Sequence, residues 1–411
     1  MVQVDEAIKL VLSEVHPTAG ERVPITEVLD RVLAEDIRSR REHPPWDNSA
    51  MDGYAVRWED IRDATRGSPV GLRVVGEVRA GKMPQHPVNR GEAVQIMTGA
   101  PIPQGADGVV RVEDTERDGE TVKIFSRGEK GGNIRPRGED IREGDLVIPA
   151  GTWGRPAEVG MLATAGHASS LVYRRPTVTV LATGDELAEP GECLTPEKII
   201  NSNGYSIGAL IREAGGLPII LEVARDRKED LESKIRQALT GDIAIAIGGV
   251  SKGKYDYVKE VLEKLNCEMK FGQVAIRPGH PLVFGSFPRV PEEVLGKKLF
   301  FGLPGNPVSC MVTFYQFVRP AIRKMMGMNE IHLPVVEAVL ATDIRSRPGR
   351  REFVRAVTRY EEGKYTAWLT GDQGSGILLS MVRANSLVVL PEDRGEFKAG
   401  EKVRVQLLPG A

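Results

Sequence analysis

Four short turns between Val178 and Pro307 carry the residue types best suited to chemistry. They are Thr183-Gly184-Asp185-Glu186-Leu187, Gly248-Gly249-Val250-Ser251, Arg277-Pro278-Gly279-His280 and Leu303-Pro304-Gly305-Asn306-Pro307. Each follows an apolar run that reads as a strand. An open α/β sheet gathers its post-strand loops at the carboxyl edge, where ligands bind. The spacing therefore predicts carboxylates, hydroxyls and cations meeting on one rim.

The run Ile243–Ile247 leads into Gly248-x-x-x-x-Gly253-Lys254, which imitates a nucleoside-triphosphate loop. Tyr255 stands where the magnesium-holding hydroxyl should be, so the triphosphate reading is set aside. Glycine-turn N–H groups, a helix N-terminus, Lys252 and Lys254 still suit a phosphate. The plain alternative is a tight strand-to-helix turn with surface lysines. Asp185, Glu186, Asp226 and Asp256 would repel a phosphate unless a cation lay between, which implies Mg²⁺ held by a few oxygens. Taken singly, each could equally be a helix-capping carboxylate.

Arg277 and His280 bracket Pro278-Gly279 and offer a guanidinium fork and an imidazole to an oxyanion. An arginine satisfying loop carbonyls is the ordinary alternative. Arg345, Arg347, Arg350 and Arg351 form a basic cluster of the kind usually solvated. Gly374-Ser375-Gly376 precedes a helix and suits an anion or a cap. Arg38-Ser39-Arg40-Arg41 is read as a solvated charge run, and the lone Met and Trp residues as core.

The elements that must position these groups fall into three regimes. After an opening helix from Val4 to Val15, residues 20–150 alternate apolar and polar between glycines, as in Leu72–Val78, Gly108–Val112 and Thr121–Phe125, which predicts antiparallel sheet. Residues 176–328 alternate strands with helices, predicting a doubly wound α/β layer with right-handed crossovers. Its strands are Thr177–Ala182, Leu217–Val223, Asp242–Ile247 and Lys298–Phe301. Asn306 is placed to cap a helix with Pro307 at its first position. Beyond Gly327, five strand-like runs and one short helix predict a small β-barrel.

The bulk numbers bound the rest. A chain of 411 residues exceeds one ordinary core. Hydrophobic content of 41% and charged content of 27% are those of a globular protein. A net charge of −2 argues against a nucleic-acid binder. No apolar run reaches the roughly 20 residues of a membrane span, and the N-terminus lacks signal-peptide character, so a cytoplasmic protein is expected. Cys193, Cys267 and Cys310 form no Cys-x-x-Cys pair, which excludes a disulfide framework and a thiolate zinc site. Asn and Gln number nine each, a depletion in keeping with a heat-adapted source.

The segment Pro45-Trp46-Asp47-Asn48-Ser49-Ala50-Met51-Asp52-Gly53-Tyr54-Ala55-Val56-Arg57 closely resembles the N-terminal motif of the molybdopterin molybdenumtransferases, the MoeA family, to which gephyrin's C-terminal domain is related. Further matches run to the end of the chain. They include Ile96-Met97-Thr98-Gly99-Ala100-Pro101, Arg137-Gly138-Glu139-Asp140-Ile141, Asn201-Ser202-Asn203-Gly204, Gly349-Arg350-Arg351-Glu352-Phe353 and Arg383-Ala384-Asn385.

The resemblance implies an enzyme that inserts molybdate into adenylyl-molybdopterin and releases AMP in a Mg²⁺-dependent step. It implies a homodimer of four-domain subunits, each site set between the α/β domain of one and N-terminal elements of the other. The domains would be 1–20, 42–48 and 134–175 (linker and dimerisation), 21–41 and 49–133 (β-rich), 176–328 (molybdopterin-binding) and 329–411 (barrel). Carried over by motif, Asp226 and Asp256 would hold the metal, with Asp185 and Glu186 nearby. Ser251 and the adjoining backbone at Gly248 and Gly249 would hold phosphate, and Thr183, Gly184, Pro304 and Asn306 would belong to the substrate site. Arg277, His280, Ser309, Arg350 and Ser375 would form the oxyanion pocket, while Asp52 and Asp140 match acidic functional positions. Arg277 and His280 replace the lysines common there, and Lys252 and Lys254 add charge to the glycine loop. Positive charge is thus kept but moved, which leaves tungstate beside molybdate as the oxyanion. The alternatives are a molybdopterin-binding scaffold, as for gephyrin, or a molybdopterin adenylyltransferase, which would lack the flanking β domains and is otherwise expected as a partner.

Overall fold

The computed structural model describes residues 1–225, 227–249, 257–287 and 297–410. Two compact units emerge, one of Met1–Arg22, Asp30–Ala34 and Leu171–Ala411, the other of Val23–Leu29 and Glu35–Ser170.

In the first unit the α/β layer has six strands: β1 (Thr177–Ala182), β2 (Leu217–Ile220), β3 (Ile243–Ile247), β4 (Glu268–Phe271), β5 (Val283–Phe287) and β6 (Lys298–Leu303). Its helices are α1 (Ser202–Glu213), α2 (Lys228–Ala238), α3 (Tyr257–Lys264) and α4 (Pro307–Thr313). The strand order is β2-β1-β3-β6-β5-β4. The first four run parallel, while β5 is antiparallel to both neighbours. β4 therefore runs with the parallel strands, and residues 272–282 leave its carboxyl end before β5 turns back. β2 stops at Ile220 rather than Val223.

Every residue of β3 is buried, as a strand covered on both faces requires. Ala244 and Ala246 lie with Leu181 among Leu231 and Ile235 of α2 and Val261 and Leu262 of α3. Their small side chains let those helices approach, and the alternating isoleucines point to the other face.

The C-terminal sheet closes. Arg351–Glu361 pairs with both Lys364–Leu369 and Ser386–Leu390, and Val335–Leu340 and Lys402–Leu407 complete a five-stranded barrel. Closure removes the unpaired edges that an open sheet would expose. The opening helix, Val4–Ser13, buries Val4, Ala7 and Val11, and Asp5 pairs with Arg351.

In the second unit six strands order as Gly108–Arg111, Gly53–Val56, Glu92–Ile96, Val70–Val78, Thr121–Ile124, Thr115–Asp118. The expected antiparallel sheet is present except that Val70–Val78 and Glu92–Ile96 run parallel, with a register shift between Val74 and Gly76. Apolar clusters around Val56 and Leu72 on one side and Ala55 and Ile96 on the other bury both faces.

One expectation holds and one needs correction. The arginines of the run 38–41 are exposed as expected, with Arg38 and Arg41 donating to the carbonyls of Gly144 and Thr164, although Ser39 between them is buried. None of the tryptophans is buried, and Trp46 and Trp368 are exposed, as are Met51 and Met83, whereas Met325, Met326 and Met381 are core as expected. The three cysteines are free.

Candidate functional site

Three of the four turns emerge from β1, β3 and β6 and are tied together by backbone. Thr183 N donates to Ile247 O at 3.0 Å, and Gly248 N to Leu303 O at 3.1 Å. Asn203, in the first turn of α1, donates from Nδ2 to Gly305 O at 2.6 Å, while Asn201 Oδ1 caps that helix by accepting from Gly204 N. Between these turns lies a pocket of about 400 Å³ lined by Thr183, Gly184, Glu186, Gly248, Gly249 and Asn306, with Leu187, Ile199 and Ile200 as apolar wall. Gly184 has φ +146°, a conformation that residues with a side chain rarely adopt, and a Cβ there would also meet the Glu186 carboxylate, which folds back over the turn, at 2.4 Å. Asp185 is exposed and holds Lys198 through its carbonyl.

The fourth turn arises differently from expectation. Ile276–Arg277 is a two-residue strand that pairs in parallel not with the α/β sheet but with Arg351 and Glu352 of the barrel. Arg277 Nη1 lies 3.4 Å from Glu352 Oε2, which also accepts from Ser346. A second pocket of about 370 Å³ results, lined by Arg277, His280, Pro304, Ser309, Arg350 and Ser375 among others. The single rim expected from sequence is thus two adjacent pockets, and Asn306 lines both.

Asn306 does not cap α4 with its side chain. Its Nδ2 donates to Ser375 Oγ at 3.0 Å, and Ser375 O accepts from Val308 N at 3.1 Å. The loop carrying Ser375 thereby satisfies a free N–H of the helix's first turn, which leaves Asn306 to orient the serine.

Arg350 and Arg351 separate what the sequence had grouped. Arg351 pairs with Asp5 and Glu392, which raise its pKa, whereas the Arg350 guanidinium has no protein partner among the described residues.

Asp52 and Asp140 belong to the second unit. Asp52 Oδ1 accepts from both N and Oγ1 of Thr98 at 2.7 Å, and the backbone donor chiefly holds its carboxyl below the usual range. Asp140 is exposed, with its N–H on His43 O at 3.1 Å. Asp226, Ser251 and Asp256 lie outside the described residues, as do Lys252 and Lys254. Among the described residues no group of three or more His, Cys, Asp or Glu could hold a metal. Also among them, no helix is long and apolar enough to cross a membrane.

Family comparison decides the class. The MoeA N-terminal region (domains I and II) matches residues 2–166, a probable molybdopterin-binding domain 179–324, and the MoeA C-terminal region (domain IV) 337–408. The chain belongs to the MoeA family. Molybdopterin molybdenumtransferase of Nostoc sp. is 37% identical over 93% of this chain and 89% of its own length. That of Haemophilus influenzae is 36% identical over 99% and 98%. The MoeA protein of Pyrococcus horikoshii shares the fold with a TM-score of 0.84 at 35% identity, both chains covered in full. MoeA membership makes this chain a transferase of molybdenum cofactor biosynthesis. The matches on both sides of the α/β domain set it apart from a stand-alone adenylyltransferase of one domain.

Sequence reasoning missed one MoeA-pocket residue of consequence. Arg355 lines the second pocket and is only 1% exposed. Its signal was present: a lone arginine inside the apolar run Phe353-Val354-Arg355-Ala356-Val357 is a buried charge that needs acceptors or a ligand of opposite charge.

Proposed function

We propose that this chain catalyses Mg²⁺-dependent insertion of molybdate, with tungstate as the alternative oxyanion, into adenylyl-molybdopterin with release of AMP. The observation that carries the reading is the pair of adjacent pockets sharing Asn306. The first, built of backbone turns and a helix N-terminus, suits the phosphate groups of the pterin nucleotide. The second, lined by guanidiniums and the Ser375 hydroxyl, suits a tetrahedral dianion.

The donors available at the first pocket are oxygens: the Glu186 carboxylate, the Thr183 hydroxyl and the side chains of Asn201 and Asn203. That set fits a hard cation that keeps part of its water, with Asp226 and Asp256 completing it. Magnesium, when bound, supplies positive charge at the phosphoanhydride as the AMP phosphate departs. The turns around Gly248 hold the phosphates, Ile199 and Ile200 cover the ligand's apolar face, and Arg277, Arg350 and Ser375 hold the oxyanion beside the dithiolene. A cytoplasmic homodimer, the arrangement implied by the resemblance, lets N-terminal elements with Asp52 and Asp140 complete the site of the other subunit. A molybdopterin adenylyltransferase supplies the adenylylated substrate.

The test incubates purified protein with adenylyl-molybdopterin, Mg²⁺ and molybdate and follows AMP release and metal insertion together. Coupled release supports the transferase. Tight pterin binding without AMP supports the scaffold instead. Asp256→Asn is expected to abolish AMP release and keep pterin binding; parental turnover in that variant removes its metal role.

A further inference from the structure

We infer that Arg355 sets the charge preference of the second pocket, selecting a doubly charged tetrahedral oxyanion over a singly charged one of the same shape. The inference rests on the reading that this pocket takes the oxyanion. Arg355 stands on the barrel strand Arg351–Glu361 and is 1% exposed, yet its side chain lines the pocket. Its acceptors are neutral: Nε donates to Ser380 Oγ and Nη2 to Gly374 O, each at 3.2 Å. No carboxylate of the described residues lies within 4.0 Å of it. A buried charge with no counter-ion in contact is costly, and a ligand of opposite charge offsets that cost.

The lining charges support a dianion. Arg277, Arg350 and Arg355 stand against the one carboxylate of Glu352, which leaves two positive charges before any from His280. Arg277 faces Glu352 at 3.4 Å, Arg350 is partly exposed and has no partner among the described residues, and Arg355 feels the carboxylates of Glu352 and Asp372 only from beyond ion-pair distance, too weakly to offset its burial. Arg355 also holds the loop that presents the anion-facing hydroxyl, because Gly374, its acceptor, precedes Ser375. It is therefore a positioning residue with two separable effects. Holding the loop serves any anion equally, whereas its electrostatic pull scales with the anion's charge.

Calorimetric titration of the full chain with molybdate and tungstate, which are dianions, and perrhenate, a tetrahedral monoanion, separates the two. In Arg355→Gln or Arg355→Met the logarithm of the affinity loss is expected to be about twice as large for the dianions. If perrhenate weakens about tenfold, molybdate weakens about a hundredfold. Arg355→Lys keeps the charge and should keep the parental dianion-to-monoanion ratio. Equal losses for both anion classes in the neutral variants overturn the inference. Should neither neutral variant fold, Arg355→Lys decides it, and a fall in its ratio overturns it. A parent protein that binds none of the three anions sinks the oxyanion reading of the pocket itself, a separate failure from unchanged selectivity in the variants.

Discussion

The two pockets are built by opposite means. The first is a product of backbone: turns after β1, β3 and β6, hydrogen-bonded to one another through Thr183, Ile247, Gly248 and Leu303. The second is a product of charged side chains drawn from segments far apart in sequence, around Arg277, Ser309, Arg350 and Ser375. A backbone site gives shape and tolerates change in side chains that face away from it. A guanidinium site gives charge and depends on each member. Substitutions should therefore fall unevenly on the two.

The largest effect is expected at Arg350. Arg350→Ala should lower oxyanion-dependent turnover about 10²–10³-fold, the usual cost of removing one preorganised donor to a charged group. Pterin-nucleotide binding at the first pocket, measured by fluorescence, should stay at the parental value. Loss of both would merge the pockets into one functional unit.

Next comes Gly279, whose φ is +105° and where a Cβ would meet Thr313 Cγ2 at 2.5 Å. Gly279→Ala should cost about 1–3 kcal/mol in urea unfolding and displace Arg277 and His280 together. Oxyanion affinity should fall while pterin affinity holds.

Arg351→Ala is the matched control for Arg350. It removes pairs with Asp5 and Glu392 and should cost about 1–2 kcal/mol of stability, since part of that network is solvent-screened. Oxyanion affinity should be unchanged. A drop comparable to that of Arg350→Ala would mean that Arg351 also serves the pocket.

The smallest effect is expected where the pockets meet. Asn306→Ala removes one hydrogen bond to Ser375, worth about 1 kcal/mol. It should weaken both ligands by about fivefold. An effect confined to one ligand would show that Asn306 serves a single pocket.

The same contrast explains what could be read from the chain alone. The strands of the α/β layer and the five of the barrel followed from periodicity, and Thr177–Ala182 matches its expected bounds. The backbone pocket was legible because glycine and proline mark turns locally. The guanidinium pocket was not legible by spacing: nothing near residue 277 announces that it will pair with residue 351 of another sheet. Arg277, His280 and Ser375 stood out by residue type, Arg350 and Ser309 were placed there only by the family resemblance, and Arg355, which that resemblance did not flag, was missed. Arg350 and Arg351 show the limit most plainly: Arg350 precedes the strand that begins at Arg351, and only the fold shows that the first lines the pocket while the second turns to Asp5 and Glu392. Asn306 was expected to cap α4, but Ser375, a residue from the barrel half of the unit, claims its side chain.

The most direct measurement is the anomalous scattering of tungsten from crystals soaked in tungstate. The account predicts a peak within hydrogen-bonding distance of Arg350, Ser375 and Arg277. A peak confined to the turns at Gly184 and Gly248, with none among the guanidiniums, would contradict it.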